Sequence, residues 1–309
     1  MRSSHPRSPA TVFRPVSGIL LFDKPQGLSS NAALQRVRHL LRAEKAGHTG
    51  SLDPLASGLL PICLGEATKI AGLLLGSRKA YETEILLGVT TKTDDAEGDV
   101  LERREVAAFD DAVIRSCMAA FQGRITQVPP IYSALKQRGV PLYKRARRGE
   151  AVVAPAREVD VYRFELLENA GERLRLHVEC GSGTYVRSLA RDLGERLGCG
   201  AHVTALRRLW VEPFLAPRMY TLEALAEIAS ADAAALDACL LPLEQGLAGY
   251  PQVQVDAETA TRLRQGQTLE MAIDGAAERC VVLDEGGHAV VLAECTNGQL
   301  RPLRGFNRS

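Results

Sequence analysis

Gly47-His48-Thr49-Gly50-Ser51-Leu52-Asp53-Pro54-Leu55-Ala56-Ser57-Gly58-Leu59-Leu60-Pro61 is the stretch around which the rest of the chain has to be read. From Ala46 to Pro61, glycine and proline recur too often for one helix or strand to run throughout, so a structured loop is expected. Within it Asp53 keeps apolar company, with Leu52 and Leu55 close by. Ionised carboxylates are rarely buried without a partner, so such an aspartate is either a structural cap or part of a site. Composition leaves both readings open.

Working outward, Gly18 to Phe22 reads as a buried strand, and Asp23-Lys24-Pro25-Gln26-Gly27 as a turn. Ser29 or Ser30 can cap a helix whose Leu34, Val37 and Leu41 share one face. Beyond the loop, Glu66 to Leu75 predicts a helix. Tyr81, Thr83, Ile85, Leu87 and Val89 then alternate with polar residues, as in a half-buried strand. A helix over Phe109 to Phe121, strands over Glu158 to Leu167 and Leu174 to Cys180, and a helix opened by Thr184 follow. Strands are not regularly followed by crossover helices, so the expected fold is α/β in the α+β sense, on a mixed, largely antiparallel sheet with flanking helices. The acidic run Thr93 to Asp99 looks like a calcium loop but has Arg104 where the bidentate glutamate belongs, and it reads as a solvated turn.

The 309 residues exceed what one core usually serves, and two domains are expected. The helical region Leu222 to Leu240 leads to Gly249-Tyr250-Pro251, where the boundary is placed. After it, a short helix over Ala257 to Gln265 and strands over Cys280 to Leu283 and Ala289 to Ala293 predict a small β-rich module, 249–309, expected to pack as a separate unit. The organisation is thus a loose basic tail (1–15), a main domain (16–248) and that module.

Several function classes are excluded. There is no apolar run of membrane-spanning length, and the first residues lack a signal peptide's apolar stretch. Seven scattered cysteines without a C-x-x-C pair are expected to be reduced thiols, which fits the cytoplasm. No cofactor is expected: metal-ligand clusters are absent, and neither a P-loop nor a complete dinucleotide fingerprint occurs. A net charge of +1 gives little long-range attraction for a polyanion, so any nucleic-acid site must be local. Such a patch exists. Lys136, Arg138, Lys144, Arg145, Arg147 and Arg148 are interleaved with Tyr132 and Tyr143, providing phosphate contacts and rings for base stacking, and only Glu150 opposes them. Among the histidines, His39, His177 and His288 read as structural; His48, in the same loop as Asp53, is the functional candidate.

Lys24-Pro25-x-Gly27-x-Ser29, the Gly47 to Pro61 loop, Tyr81, Gly183-Thr184-Tyr185-Val186-Arg187 and Ala205-Leu206-Arg207-Arg208-Leu209 together resemble the TruB family of tRNA pseudouridine synthases. The motifs occur in family order from Val16 to Arg218. The resemblance implies isomerisation of the uridine at position 55 in the T loop of tRNA, and a PUA-like C-terminal module. It further implies that Asp53 is the catalytic aspartate, that Tyr81 stacks on the flipped base, and that Arg187 pairs with Asp53. Tyr185 and Leu206 would line the pocket, and His48 would fill the gap left by the nucleotide. Lys24 and Pro25 would be mainly structural, and Ile131 to Gly149, within an insertion at about 124–152, would grip the T arm. Some relatives carry a basic residue where this chain has Ser182. The expected partner is the T stem-loop of tRNA, bound by a monomer. The isomerisation breaks and remakes a glycosidic bond with no electron or group from outside, which agrees with a cofactor-free chain. Two other classes remain: an RNA-binding assembly factor, which leaves Asp53 unexplained, and a glycosidase, which needs a second carboxylate.

Overall fold

The computed structural model describes residues 12–133, 135–137, 139–271, 278–296 and 298–307. From the N-terminal side, β1 (Gly18–Lys24) leads into α1 (Ser30–Leu40), β2 (Ala46–His48) and β3 (Ala56–Leu64). A 3-10 turn and α2 (Ala71–Leu74) precede β4 (Lys79–Leu87), the hairpin β5 (Val89–Thr91) and β6 (Val100–Arg103), α3 (Asp111–Ala119) and β7 (Gly123–Gln127). The excursion β8 (Lys136–Gln137), β9 (Val140–Pro141) and α4 (Leu142–Arg147) is followed by β10 (Arg157–Ala170), β11 (Arg173–Cys180), α5 (Val186–Arg196), β12 (Ala201–Val211) and α6 (Leu222–Ala231). The last part comprises β13 (Gln252–Gln254), α7 (Ala257–Arg264), β14 (Leu269–Glu270), β15 (Arg279–Leu283), β16 (Ala289–Thr296) and β17 (Gln299–Gly305).

The central sheet has the order β1-β3-β12-β4-β11-β10-β7, with β2 added on β3. Only β3 and β12 pair in parallel, as the expected fold class requires. That one parallel pair depends on Gly58, which lies opposite Arg208 at a φ of +98°. A Cβ there would stand 2.2 Å from the Arg208 carbonyl oxygen, so only glycine permits the approach.

Both faces of β1 and β3 are covered. Leu20, Phe22, Leu60 and Ile62 join a core with Val37, Ile114, Leu189 and Leu225 from the helices, whereas Ile19, Leu21 and Leu59 join a second core with Ile70 and Leu74. A strand buried on two faces reads as a continuous apolar run, which is why Gly18 to Phe22 was legible. Ser29 caps α1 by accepting from the Ala32 amide at 3.1 Å, a bond of about 1 kcal/mol.

The C-terminal strands form a five-stranded sheet, β13-β15-β16-β17-β14. One face packs on itself through Cys280, Val282, Val291 and Leu300. The other does not: Val281, Leu292 and Phe306 belong to the same core as Ile19 and Leu59. Lys69 Nζ also donates to the Gly305 carbonyl at 2.9 Å, and the Asn307 amide to Glu66 at 2.8 Å. The module is therefore fused to the main domain through a shared apolar layer rather than packed separately.

Three other expectations need correction. Residues 1–11 of the expected loose tail lie outside the described residues, but Arg14 pairs with Asp237 and its amide donates to the Arg42 carbonyl at 2.7 Å, so residues 12–16 are fastened to the body. The Ala46 to Pro61 loop is shorter than its composition suggested, because β2 and β3 take both ends and leave 49–55 as the connection. The start of the expected 124–152 insertion is sheet, since β7 pairs with β10. The described cysteines are free thiols, and no helix among the described residues is long and apolar enough to cross a membrane.

Candidate active site

Asp53 lies in the short connection from β2 to β3, and its backbone is gripped on both sides. The Ser30 hydroxyl accepts from the Leu52 amide at 2.7 Å and donates to the Leu52 carbonyl at 2.9 Å. The Gly27 amide donates to the Pro54 carbonyl at 2.8 Å. Lys24 is fully buried, and its ammonium donates to the carbonyls of Pro25, Leu28 and Pro54 at 2.9, 2.7 and 3.5 Å. Burial pushes the Lys24 pKa down to about 8, against the opposing pull of Asp53. The expected structural role of Lys24 is thus specific: it ties the β1–α1 turn to the turn that carries Asp53.

The Asp53 carboxylate opens onto a pocket, with 38% of its side chain exposed, and Arg187 Nη2 lies 2.9 Å from its Oδ2. Burial raises the Asp53 pKa above the ordinary carboxylate value; Arg187 opposes the rise and the nearby Asp95 adds to it. Arg187, on the first turn of α5, is almost fully buried. Its Nη1 donates to the Thr93 carbonyl at 2.8 Å and lies 3.3 Å from Asp95 Oδ2, while Nη2 donates to the Tyr132 carbonyl at 3.0 Å.

Asp95 overturns the reading of Thr93 to Asp99 as a solvated turn. It is 3% exposed, and its Oδ1 accepts from the Thr93 hydroxyl at 2.5 Å and the Glu97 amide at 3.1 Å. Asp94 pairs with Arg191 at 3.0 Å. Arg187 and Arg191 are i and i+4 on α5, one helical face, so the acidic turn docks on that face and is buried by it.

The same pocket receives Tyr81, Tyr185 and Leu206, as well as Lys79, Arg157 and Arg208, none of which was foreseen as a site residue. Tyr81 and Arg208 are cross-strand partners on β4 and β12, and burial raises the pKa of the Tyr81 phenol while the Arg208 charge opposes the rise. Arg208 donates to the Leu59 carbonyl at 2.6 Å and the Gly50 carbonyl at 3.1 Å. Alternation along β12 sends Leu206 and Arg208 to the pocket side and Arg207 to Asp23, at 2.8 and 3.0 Å. Tyr185 stands at the head of α5, held by Gln127, which accepts from its amide at 2.8 Å and donates to its carbonyl at 3.1 Å. Ser182 donates to the Leu75 carbonyl at 3.0 Å, and the positive charge at its turn comes instead from Arg157, which donates to the Gly183 carbonyl.

His48 sits on β2, outside the pocket lining, with a buried Nδ1 that has no hydrogen-bond partner. Burial, then the Arg208 charge, lowers its pKa, so it is neutral near pH 7. In the basic stretch, Lys144, Arg147 and Arg148 are exposed, and Arg147 lies 5.7 Å from the Tyr143 ring centroid. Arg145 is instead engaged by Glu150 at 2.6 Å and by Gln137. Lys136 is in β8; its side chain, and Arg138, lie outside the described structure. Arg208 could have been found in the sequence by alternation from Leu206. Asp95, Arg157 and Gln127 carried no local signal.

Residues 38–186 match the model of the TruB family pseudouridylate synthase N-terminal domain, and residues 187–248 that of the tRNA pseudouridylate synthase B C-terminal domain. The tRNA pseudouridine synthase B of Xanthomonas axonopodis pv. citri is 58% identical over 299 residues, covering 97% of each chain. Its counterpart in Xylella fastidiosa is 56% identical over 298 residues, 96% of this chain and 97% of that one. In fold, a chain from the structure of an H/ACA RNP bound to a substrate RNA containing 2′-deoxyuridine matches with a TM-score of 0.73 at 23% identity, over 94% of this chain and 85% of that one.

Proposed function

The chain belongs to the TruB family of tRNA pseudouridine synthases, and from that premise we propose that it isomerises the uridine at position 55 in the T loop of tRNA, with Asp53 as the catalytic carboxylate. The observation that carries the assignment is the Asp53 carboxylate at 2.9 Å from a buried Arg187, in a pocket shared with Tyr81, Tyr185 and Leu206. The reaction breaks C1′–N1, turns the base and joins C1′ to C5. The C5 proton leaves and N1 gains one, so atoms and electrons balance within the substrate. An ionised carboxylate serves as nucleophile or as proton acceptor, and a pKa raised by burial makes it the stronger at either task.

A stacked uridine does not reach such a pocket, so the base is flipped out at a cost of a few kcal/mol. Tyr81, 8% exposed and across the strand pair from Arg208, offers its ring to the flipped base, and Tyr185 and Leu206 close the apolar walls. His48, neutral and just before the Asp53 turn, is the side chain to occupy the vacated place in the loop. Lys144, Arg147 and Arg148, with Arg145 and Lys136 of the same excursion, meet the T-arm phosphates, and the module 249–309 acts as a PUA-like RNA surface. The enzyme acts as a monomer in the cytoplasm. Hydrolysis is disfavoured because Asp53 is the one carboxylate lining the pocket among the described residues: Asp95 is buried behind Arg187, and Glu97, though near enough to Asp53 to interact with its charge, lies outside the lining.

The test is Asp53→Asn in single-turnover isomerisation of a T-loop minihelix, with circular dichroism and affinity measured on the same preparation. Asparagine keeps the shape and one acceptor but loses the charge, so turnover is expected to vanish while fold and most affinity persist. Activity within tenfold of the unaltered protein would sink the assignment.

A further inference from the structure

The pocket holds one carboxylate, Asp53, and four cationic side chains, Lys79, Arg157, Arg187 and Arg208. Three of the four are already committed. Arg187 is ion-paired; Arg208 and Lys79 are buried, with Lys79 donating to the Leu75 and Ser77 carbonyls at 3.1 and 2.6 Å. Arg157 differs. It is half-buried at the start of β10, and among the described residues no carboxylate comes within ion-pair distance of it. Its guanidinium lies 4.9 Å from the Tyr185 ring centroid and donates to the Gly183 carbonyl, so it is oriented by neutral groups that leave its charge uncompensated. Arg78, near the same strands, shows the contrast: it faces Glu179 at 3.2 Å and Glu212 at 3.7 Å.

The turn beneath Arg157 is Gly181-Ser182-Gly183. A Cβ on Gly183 would already stand 3.4 Å from the Arg157 guanidinium carbon, and the Ser182 hydroxyl is occupied by the Leu75 carbonyl. The turn therefore presents backbone rather than side chains beside an uncompensated guanidinium. Uracil enters the pocket as a neutral base; the anion that a flipped nucleotide carries in with it is its own phosphodiester. We propose that Arg157, with the Gly181–Gly183 turn, forms the subsite that holds a phosphodiester group flanking the target uridine. This rests on the uridine-isomerising reading above. Its function follows from the reaction: once C1′–N1 breaks, only the sugar-phosphate remains attached to the RNA, and a fixed phosphate keeps C1′ in place while the base turns.

The test is a double cycle between the protein and the RNA. Minihelices carry a neutral methylphosphonate at the phosphate 5′ or 3′ of the target, and the protein is unaltered, Arg157→Gln or Arg157→Lys. With the unaltered protein, one of the two methylphosphonates is expected to lower single-turnover kcat/KM on the order of 10–100-fold, as for a charge-assisted hydrogen bond. Arg157→Gln loses about as much on natural RNA and little more on the methylphosphonate, whereas Arg157→Lys recovers part of the discrimination. Losses that multiply independently, or an unaltered protein indifferent to both methylphosphonates, would overturn the subsite. Affinities for the same RNAs complete the cycle without turnover. A phosphate-dependent cycle in binding with no isomerisation of natural RNA would therefore overturn the functional reading and keep the subsite. Circular dichroism of Arg157→Gln guards against a folding defect, which the Lys variant would share.

Discussion

Asp95→Asn separates the buried network from the catalytic group itself. Asparagine can keep both turn bonds, because its carbonyl oxygen can accept from the Thr93 hydroxyl and the Glu97 amide as Oδ1 does now. Its amide nitrogen would then face Arg187 Nη1, a donor against a donor, where a carboxylate oxygen now lies at 3.3 Å. Removing one partner of a buried ion pair costs ~3–5 kcal/mol when the other charge is left alone. Here Arg187 retains Asp53 and the Thr93 and Tyr132 carbonyls, so the cost should sit at or below the low end, about 2–3 kcal/mol. At about 2–4 °C per kcal/mol for a chain of this size class, the melting midpoint should fall by roughly 5–10 °C. Turnover should fall on the order of 10–100-fold, because a guanidinium released on one side no longer aims the Asp53 carboxylate. Asp94→Asn is the control: its partner Arg191 does not line the pocket, so it should lose stability but not rate. Single-turnover kinetics and thermal melting decide between them. A rate for Asp95→Asn within about threefold of the unaltered protein would refute the view that the acidic turn sets the geometry of Asp53.

Gly58→Ala should be destabilising by about 3 kcal/mol or more, since the new methyl meets the Arg208 backbone and φ is +98°; thermal melting checks it, and a shift under about 2 °C would contradict the close β3–β12 approach. The rate should fall as pH drops, because Asp53 must be ionised and its pKa is raised by burial. In Arg187→Gln the favourable charge is gone, the pKa rises further, and the fall in a kcat/KM profile should move to higher pH. Removing Lys144, Arg147 and Arg148 together should flatten the salt dependence of tRNA binding by about 0.9 in the log-log slope per lost phosphate contact. Arg145→Gln should change it less, because Glu150 already neutralises that guanidinium.

Local pattern alone determined most elements here. Gly18 to Phe22, the alternation from Tyr81 to Val89 and the apolar face of the helix after Thr184 were legible because burial on a strand or helix repeats with a short period. Asp53 was legible for the opposite reason: a carboxylate among leucines and glycines breaks every packing pattern. The strand β12 shows no alternation in sequence, since Arg207 and Arg208 mask it until their separate partners, Asp23 and the pocket, are known. The acidic turn reads as solvated in sequence because its four acids stand close together, and only the docking of α5 brings Arg187 and Arg191 to it across more than ninety residues of chain. The C-terminal module was read as separate because its inner and outer apolar residues alternate identically, and only tertiary packing assigns Val281, Leu292 and Phe306 to the neighbouring core. Sequence thus determined which backbone segments could be regular and which carboxylate was out of place. Tertiary structure decided which charges compensate one another, because ion pairing depends on distance in space and leaves no period along the chain.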